Sequence, residues 1–560
     1  NKSFIKRQIR ILNRANISTI HAFCLKIIRS NFDRVSLDPE FKILDEANTN
    51  ILKKRAITNI IEKEYAKEKN QNLTNLLQLF NYKEDELLEQ LILIYDYIRS
   101  FTMPFEFLEK EAEKYNCSSE VENLYTLDFG KQIYDEVISE LRLVFIKLQE
   151  QISRIQGIEG FEKIVSTLQE DLDNILSILN ISNNWDALYT VLNEIEFKKM
   201  PTYKGNRVDI KEEIATFRKK VLKETIASCQ KRIYDTSSNI VRENKIGYEY
   251  LKYIIYILKE FDKEFLSLKS KKGAIDFSDI EHIAYEILIN NGKITDVAEK
   301  FQENLEEIYT DEYQDTSYIQ EEILNTISRG NNRFMVGDVK QSIYRFRQAM
   351  PEIFIKKSDT YEEYNKNDLS ENDTKIVLAK NFRSRSEVID SINYIFENIM
   401  SREVGYINYS GIEVLKCGAT YDKIDGENFR TEVNVIDIND NKESLEDVEK
   451  KDCEEEIEEL KRFEVEAYYI GKRIKQLVAS SKISVGEKIK NVEYKDVVIL
   501  LRSMSNRANV IENVFKQLNI PVFSDVSSNI FDSEEVKMVL NFLRVIDNRF
   551  QDIPLVALMY

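Results

Sequence analysis

Three carboxylates lie within five positions of the stretch IYTDEYQDTSYIQ, at Asp311, Glu312 and Asp315. Like charges are costly to bury together without a partner, so the cluster either faces solvent or holds a ligand. An aspartate at a strand end can bind Mg²⁺, and a glutamate directly after it can polarise the water that attacks a γ-phosphate. On its own the stretch favours a solvated turn, because polar residues interrupt the extended segment before it.

A second stretch, RFMVGDVKQSIYRFRQAMPEIF, shifts the balance towards a ligand site. Gln341 follows a predicted strand, where its amide can hydrogen-bond both a phosphate oxygen and a neighbouring carboxylate. Tyr344, Arg345, Phe346 and Arg347 alternate rings with cations, a combination that stacks on unpaired bases and neutralises backbone phosphates. The alternative for this segment is an amphipathic helix with a core aromatic residue.

A third stretch, IVLAKNFRSRSEVID, also follows a predicted strand with polar residues, here Asn381, Phe382, Arg383 and Arg385. An arginine in this position can reach across a cleft and stabilise the charge on a transferring phosphate. The three stretches together predict phosphate chemistry.

Alternating strands and helices must position these residues. Strands are predicted at 307–310, 333–336, 375–378, 432–438 and 495–501, with helices between them that include 387–400 and 465–478. This alternation predicts a parallel α/β fold, in which ligands bind at the carboxyl ends of the strands. We therefore expect the three polar segments to lie at one functional edge.

The region from about Asp45 to Ser270 has a different character. Apolar residues recur there at spacings of three and four, as in LLEQLILIYDYIRSF and LQEDLDNILSILN, which predicts one helix after another. Breaks are expected near Pro104, 116–119, 181–184 and 201–206. The region is predicted to be a bundle-like helical insertion, and it carries no evident chemistry.

Composition restricts the class of protein. The 560 residues are 43% hydrophobic with only 15 Gly and 6 Pro, which favours a folded, helix-rich chain of several domains. The net charge of −18 argues mildly against nucleic-acid binding, but residues 1–34 carry eight basic side chains against the single acid Asp33. The five cysteines form no C-x-x-C pair, and no signal peptide or membrane-length apolar run occurs. We expect a soluble cytoplasmic, nucleoid-associated protein in a reducing environment, with no membrane partner.

An ordered set of motifs resembles the UvrD/Rep-type superfamily 1 DNA helicases. The set comprises TIHAF (19–23), DFSDI (276–280), DEYQDT (311–316), VGDVKQSIYRFRQA (336–349) and LAKNFRSR (378–385). Within that group the chain most resembles the AddA type of helicase–nuclease, on NISTIHAFCLKIIRSNF, VGDVKQSIYRFRQAMPEIF, and KDVVILLRS followed by FLRVIDNRFQDIPLVALM. The resemblance implies an ATP-dependent 3′→5′ motor in double-strand-break repair, which uses ATP and Mg²⁺ and pairs with an AddB-like subunit.

The resemblance also implies roles for the nucleotide site. Asp311 would bind Mg²⁺ and Glu312 would activate water as the catalytic base. Gln341 would sense the γ-phosphate, Arg383 would contact it from a second motor domain, and Phe382 would stack on adenine where relatives commonly carry tyrosine.

Contacts to single-stranded DNA are implied for Thr19, His21 and Phe23 in one motif and for Tyr344 and Phe346 in another. Many relatives carry tryptophan at the place of Phe346, so a smaller stacking face is expected. Arg347 is added as a candidate phosphate contact from its position in the basic, aromatic segment. Gln314 and Asp315 are expected to couple nucleotide state to the DNA-contacting loop. Single-stranded and duplex-end DNA are thus the implied substrates.

The implied fold is a pair of RecA-like P-loop NTPase motor domains with ATP in the cleft between them and a large all-helical insertion. Residues 1–45 and 271–362 would form the first motor domain, 46–270 the insertion, 363–545 part of the second motor domain, and 546–560 the start of a further helical insertion. No G-x-x-x-x-G-K-[ST] loop occurs, and NNGKIT at 290–295 lacks the upstream glycine. The chain is therefore expected to be a fragment that neither hydrolyses ATP well nor cuts DNA alone.

Two rival functions stay open: a stand-alone UvrD/PcrA/Rep-type helicase without a nuclease, and a non-catalytic DNA-binding protein with a degenerate motor.

Outside the motifs, His282 and Trp185 are expected to be structural. Asp276 and Asp279 could cap a helix, and the resemblance adds a possible role beside DNA. The acidic run at 443–466 is expected to be a solvated helical face, with partner binding as the alternative.

Overall fold

The computed structural model describes residues 2–12, 15–35, 37–67, 70–117, 121–203, 205–364, 373–421, 424, 426–436, 452–485, 488–504, 507–524, 534–549 and 552–558. Within these, side chains are described except at 8, 11–12, 347, 403–404, 452–461, 485 and 534. The chain divides into two units, Asn1–Thr360 and Tyr361–Tyr560, and each is described by itself.

The first unit contains sixteen α-helices and six short strands among its described residues. In chain order they are α1 Lys2–Leu12, α2 Ile20–Ser30, β1 Lys42–Ile43, α3 Glu46–Tyr65, α4 Gln71–Leu79, α5 Glu84–Ile98, α6 Pro104–Glu113, α7 Asp128–Ile155, α8 Glu162–Leu179, α9 Trp185–Glu194, α10 Val208–Phe217, α11 Glu224–Arg232, α12 Ser237–Lys271, β2 Ala274–Ile275, α13 Phe277–Leu288, β3 Ile289–Asn290, β4 Lys293–Ile294, α14 Asp296–Asn304, β5 Ile308–Thr310, α15 Tyr318–Thr326, β6 Arg333–Met335 and α16 Pro351–Thr360.

The helices α3–α12 form the region predicted to be a helical insertion. Their boundaries follow local chemistry: Asp45 and Asn184 cap α3 and α9 with side-chain oxygens, and Pro104 occupies the first turn of α6. One core forms between α3, α4, α5 and α12, around Phe261 and Phe265. Other apolar clusters lie between α7 and the shorter helices that follow it. The helical prediction for this region is confirmed.

A separate core in the first unit lies under the predicted site. It joins α2, α13, α14 and α15 with the start of β5 and contains Ile28, Ile280 and Ile323. Two parallel strand pairs, β1 with β2 and β5 with β6, accompany it, and β3 and β4 form an antiparallel hairpin. The site elements therefore rest on an apolar base that also contains the TIHAF helix.

The second unit contains fewer buried residues in its described part. Its elements are β7 Glu362–Glu363, β8 Thr374–Lys375, β9 Lys380–Asn381, α17 Ser386–Ile399, α18 Arg402–Gly405, β10 Lys416–Cys417, α19 Asp452–Ser480, β11 Lys482–Val485, β12 Lys488–Asn491, α20 Arg507–Gln517, α21 Glu534–Asp547 and α22 Asp552–Ala557. Its described core joins α19 and α20. The helices predicted at 387–400 and 465–478 are confirmed as α17 and part of α19. The acidic residues 443–451 lie outside the described part of the chain.

Most of the strand predictions for this unit are wrong. In the described chain, 376–378, 432–436 and 497–501 are not strands, and Val435 and Leu500 are largely exposed. Residues 437–438 lie outside the described residues. Residues 376–378 and 497–501 are uninterrupted apolar runs, and 432–436 partly alternates apolar and polar residues. Within the described chain none of them pairs with a partner strand, and strand structure needs such pairing to be stable.

The observed architecture is mainly helical with small, mostly parallel sheets, which agrees with the α/β prediction in its coarse form. Each sheet in the described chain has two strands, so the larger parallel sheets expected from the alternation are not observed. No helix in the described ranges is long and apolar enough to cross a bilayer.

Candidate functional site

The parallel pairing of β5 and β6 brings two predicted polar segments together. Ile308 pairs with Arg333 and Thr310 with Met335, so both strands end at the same edge. The Val336 N–H donates to the Thr310 carbonyl at 2.8 Å, and the Tyr313 N–H donates to the Val336 carbonyl at 2.9 Å. The segments DEYQD and GDVKQS are thus adjacent, as the strand-end rule predicts.

Glu312 adopts an unusual backbone conformation at this edge. Its φ of 49° and ψ of 43° place it in the left-handed region, which costs a non-glycine residue about 1–2 kcal/mol. Its N–H donates to Asp311 Oδ1 at 2.9 Å, and its Oε2 accepts from Gln314 Nε2 at 2.7 Å. The carboxylate is therefore oriented by Gln314, while both Asp311 and Glu312 stay exposed.

Buried Gln314 connects the two segments. Its Oε1 accepts from the Asp338 N–H at 3.0 Å, while its Nε2 binds Glu312. Gln341 Nε2 donates to Asp338 Oδ2 at 3.0 Å, and Lys340 Nζ lies 2.9 Å from Asp338 Oδ1. A continuous hydrogen-bond chain therefore runs from Glu312 through Gln314 and Asp338 to Gln341.

Asp338 and Gly337 were not singled out from the sequence as site residues. A Cβ on Gly337 would lie 2.5 Å from Gln314 Oε1 and 3.1 Å from the Tyr313 nitrogen, so any larger residue here would force the Gln314 amide to move. The pair was visible as the GD of VGDVKQS, directly after a predicted strand, which is the position where the chain must turn closely past a neighbour.

The third acid of the cluster, Asp315, has a different environment. Its Oδ1 is buried and has no hydrogen-bond partner among the described residues. Burial, reinforced by the negative charge of Glu312, raises the pKa of Asp315. Asp315 therefore differs from the exposed Asp311 and Glu312, and the three acids do not act as one cluster.

No group of three or more His, Cys, Asp or Glu side chains is arranged to hold a metal ion within the described residues. Mg²⁺, however, is commonly held by one or two carboxylates together with substrate phosphates and water. Asp311 offers an exposed carboxylate of that kind at the strand edge. The donor set therefore fits Mg²⁺ that arrives with a nucleotide rather than a metal held by the protein alone.

Tyr313 anchors the segment from below. Its ring is fully buried, and its hydroxyl donates to Glu321 Oε2 at 2.6 Å. Although burial opposes the shift, hydrogen bonding and the charge of Arg333 lower the pKa of Glu321, and Lys357 lies 3.1 Å from it. The acidic segment thus rests on a paired, buried network that fixes its backbone.

The TIHAF residues have three different environments. Thr19 is exposed and caps α2, because its Oγ1 accepts from the Ala22 N–H at 3.3 Å. His21 is partly exposed and contacts Glu281. Phe23 is partly buried and packs edge-to-face on Phe301 at 5.6 Å, within the core of the unit. Thr19 thus faces the surface, whereas His21 and Phe23 are both partly buried.

The aromatic loop after Gln341 presents its rings to solvent. Phe346 is 73% exposed and Tyr344 is 39% exposed, with ring centroids 5.9 Å apart. Arg345 NH2 lies 3.0 Å from Glu352 Oε1 at the start of α16. The segment is a short 3-10 turn rather than the amphipathic helix considered as the alternative, and the Arg347 side chain lies outside the described atoms.

In the second unit, Phe382 and Arg383 follow β9 and are both exposed. Asn381 Oδ1 accepts from the N–H groups of Arg383 and Ser384, each at 2.9 Å, which fixes the turn. Phe382 is 68% exposed, and its ring passes close above Gly418, where a Cβ would lie 2.7 Å from Cε1. This turn therefore presents both an aromatic ring and a guanidinium to solvent.

The residues expected to be structural are buried. Burial, together with the charge of Arg99, lowers the pKa of His282 to about 3, and its Nε2 lies 2.9 Å from the Arg99 carbonyl oxygen. Trp185 is buried and donates through Nε1 to the Asp235 carbonyl at 2.9 Å. Asp276 and Asp279 form a capping box at α13, so the expected helix cap is confirmed.

Comparisons with known proteins match almost the whole chain. Residues 2–362 match the profile of the UvrD/REP helicase N-terminal domain, and residues 376–559 match that of the UvrD-like helicase C-terminal domain. The chain is 36% identical to the A subunit of the ATP-dependent helicase/nuclease of Ruminiclostridium cellulolyticum, over 99% of this chain and 47% of that protein. Proteins of the same name from Clostridium kluyveri and Clostridium novyi are 36% and 38% identical, over 99% of this chain and 45% and 46% of theirs. The chain spans about half the length of these relatives.

Proposed function

Because the chain belongs to the UvrD/REP helicase family, we propose that it is the motor part of an ATP-dependent 3′→5′ DNA helicase–nuclease. The observation that carries this proposal is the hydrogen-bond chain from Glu312 through Gln314 and Asp338 to Gln341. Such a chain lets a change at one end of the phosphate-binding edge alter the position of the other end. A solvated turn would not need a buried glutamine or a left-handed glutamate.

Bound Mg²⁺ would neutralise charge on the nucleotide phosphates, and Asp311 would hold it. Glu312 would accept a proton from the attacking water, since its exposed carboxylate is oriented by Gln314 on one side. Gln341 would contact the γ-phosphate through the amide that now binds Asp338. From the second unit, Arg383 would stabilise phosphate charge and Phe382 would stack on adenine.

DNA would bind through exposed aromatic and polar groups of the first unit. Tyr344 and Phe346 present rings on which unpaired bases can stack, which is a sequence-tolerant mode of single-strand binding. Thr19 and His21 would contact the strand from the start of α2, and Phe23 would support them from the core. Arg347 is retained as a proposed phosphate contact.

We further propose the domain plan expected from the resemblance. Residues 1–45 and 271–362 would form one RecA-like motor domain, and 363–545 would belong to a second. The helical body at 46–270 would be inserted into the first domain, and 546–560 would begin another insertion.

The relatives are named as one lettered component of a helicase/nuclease, which supports a second component of the AddB type for the whole protein. Duplex DNA ends in double-strand-break repair would be the substrate.

The test is the substitution Glu312→Gln in the full-length protein. It keeps the shape and the hydrogen bond from Gln314 as far as an amide allows, but it removes the proton acceptor. We expect DNA-stimulated ATP hydrolysis to fall about 100-fold or more, while nucleotide binding changes little. Phosphate release measured with and without oligo(dT) gives the first quantity, and a fluorescent nucleotide gives the second.

Glu306→Gln is the matched control, because Glu306 is an exposed glutamate just before the same strand. It should leave hydrolysis close to that of the parent protein. Equal hydrolysis rates for Glu312→Gln and Glu306→Gln would dismiss Glu312 as the base and remove the main support for the proposed function.

A further inference from the structure

Glu281 on α13 is a buried carboxylate to which neither the motifs nor the proposed function assigns a role. It is 8% exposed and lies one turn into the helix capped by Asp276. Its Oε1 lies 3.2 Å from His21 Nε2 and accepts from Gln320 Nε2 at 2.7 Å. One carboxylate oxygen therefore joins a proposed DNA-contacting side chain to a residue of α15.

Gln320 links this carboxylate to the nucleotide segment. Its Oε1 accepts from the Ser317 N–H at 3.3 Å, which closes the capping box at the start of α15. Ser317 follows DEYQDT directly in the sequence. Because the Gln320 amide oxygen accepts from the Ser317 N–H, its amide nitrogen faces Glu281. The glutamine side chain thereby connects Glu281 to the start of α15.

His21 is held in two directions by this arrangement. Its ring meets Phe277 edge-on at 5.7 Å, and its Nε2 points at Glu281. The side chain remains 37% exposed, so the imidazole is oriented by buried groups yet reachable from solvent. Without the carboxylate the ring would lose its polar anchor and keep only the aromatic contact.

We infer that Glu281 is a positioning residue that orients His21 for single-stranded DNA and ties it, through Gln320, to the nucleotide-binding segment. The inference rests on the proposed function, since it needs His21 to contact DNA. Burial raises the pKa of Glu281, while the charge of His21 and the Gln320 amide oppose that shift. A carboxylate kept in such a site at a desolvation cost needs partners, and both partners here belong to segments with proposed roles.

The test is a double-mutant cycle in the full-length protein with fluorescein-labelled oligo(dT) as the probe. Glu281→Ala should weaken oligo(dT) binding about tenfold, the size expected for loss of a hydrogen bond to a charged group. Glu281→Gln, which keeps an acceptor oxygen, should lose less. In a His21→Ala background, Glu281→Ala should cause little further loss, because the group it positions is gone.

The second readout is the dependence of this binding on nucleotide. The ratio of oligo(dT) affinities measured with ADP and with a non-hydrolysable ATP analogue should shrink in Glu281→Ala, while the affinity for the analogue alone is unchanged. Glu286→Ala is the matched control, because Glu286 is an exposed glutamate on the same helix. It should leave both the affinities and their ratio unaltered.

The outcomes separate the inference from the proposed function. If His21→Ala weakens binding but Glu281→Ala does not, or if the two losses add fully, the inference is overturned and the proposed function stands. If His21→Ala has no effect, the DNA role of His21 fails and this inference fails with it. Should Glu281→Ala not fold, as judged by thermal unfolding, the cycle with Glu281→Gln decides in the same way.

Discussion

At the scale of single residues, the site depends on how one glutamine is held. Gln314 is buried between two strand-end segments and joins Glu312 to the Asp338 backbone. An unsatisfied buried amide is costly, so its two hydrogen bonds fix its direction. The position of Glu312 is therefore determined from the neighbouring strand end rather than by its own turn alone.

Gly337→Ala tests this dependence. The added Cβ would lie 2.5 Å from Gln314 Oε1, so the amide must move and release Glu312. We expect ATP hydrolysis by the full-length protein to fall about tenfold, with a stability loss of about 1–3 kcal/mol from overpacking. Steady-state hydrolysis and urea denaturation measure the two effects.

Gly247→Ala is the control for this substitution. A Cβ at Gly247, in the interior of α12, meets no atom of the described residues within 4 Å. Alanine is the better helix former, so stability should rise by about 0.5–1 kcal/mol with hydrolysis unchanged. Unaltered hydrolysis in Gly337→Ala would show that the position of Gln314 does not matter for the chemistry.

The placement of Asp311, Glu312 and Gln341 after the paired strands could be predicted from the sequence, while their roles in phosphate chemistry stay predictions. The link through Gln314 and Asp338 could not be predicted, since the direction of a glutamine side chain depends on a turn that no local pattern specifies. The contacts of Glu281 could not be predicted for a similar reason. In the sequence Glu281 is one polar residue in a predicted helix, and its partners lie far away along the chain.

At the scale of elements, one helical segment departs from regular α geometry. Residues Arg218–Lys223 form a π-helical stretch between α10 and α11. Arg218 is buried there and binds Asp171 of α8 with two nitrogens, Nε at 2.5 Å from Oδ2 and NH2 at 2.8 Å from Oδ1. Its NH1 also donates to the Lys198 carbonyl at 2.7 Å. The wider turn thus coincides with a bidentate, buried ion pair.

Asp171→Asn should destabilise this part of the chain strongly. The amide cannot neutralise the buried guanidinium of Arg218, and breaking such a pair from one side costs about 3–5 kcal/mol. Urea or thermal denaturation of the full-length protein, followed by circular dichroism, measures the loss in the transition that contains α8.

The adjacent Glu170→Gln provides the comparison. Glu170 pairs with Lys198 at 2.8 Å, but the Lys198 side chain is 72% exposed and that of Glu170 is 45% exposed. Surface pairs contribute about 0–1 kcal/mol, so this variant should remain close to the parent protein. If the two variants lose equal stability, burial of the Asp171–Arg218 pair is not what makes it important.

Helices were predictable where strands were not, for a physical reason. A helix satisfies its backbone within itself, so the spacing of apolar residues in 168–180 predicts most of α8, and Pro104 predicts the break at which α6 begins. A strand needs a partner, and the apolar run at 497–501 does not show whether one is present. The strands that were predicted well, β5 and β6, are those that pair with each other.

At the scale of the whole molecule, charge is distributed unevenly. The net charge of −18 opposes nucleic acid, yet residues 1–34 carry eight basic side chains against one acid. Charge interactions are screened beyond about 10 Å at moderate salt, so a local basic region can bind phosphate on an acidic protein. The local basic region at 1–34 therefore outweighs the mild argument that overall acidity makes against DNA binding.

The helical body of the first unit is joined to the site at the end of α5. The Ser100 carbonyl accepts from the Ile319 N–H at 2.9 Å, inside the first turn of α15. Next to it, Phe101 stacks between Phe107, at a centroid distance of 3.7 Å, and Tyr318, at 4.9 Å. Phe101 also packs against the cluster that contains Tyr313. The body thus contacts the segment that carries the proposed catalytic acids.

Phe101→Ala should therefore affect chemistry as well as stability. Removing the ring loosens the base of Tyr313 and the start of α15, so we expect ATP hydrolysis to fall about tenfold with a stability loss of about 2–3 kcal/mol. Phe145→Ala removes another part-buried ring of the body, which lies far from this junction in sequence and packs against the cores around α7. It should lose similar stability but keep its rate of hydrolysis. Equal falls in rate would mean that the helical body supports the fold without holding the site.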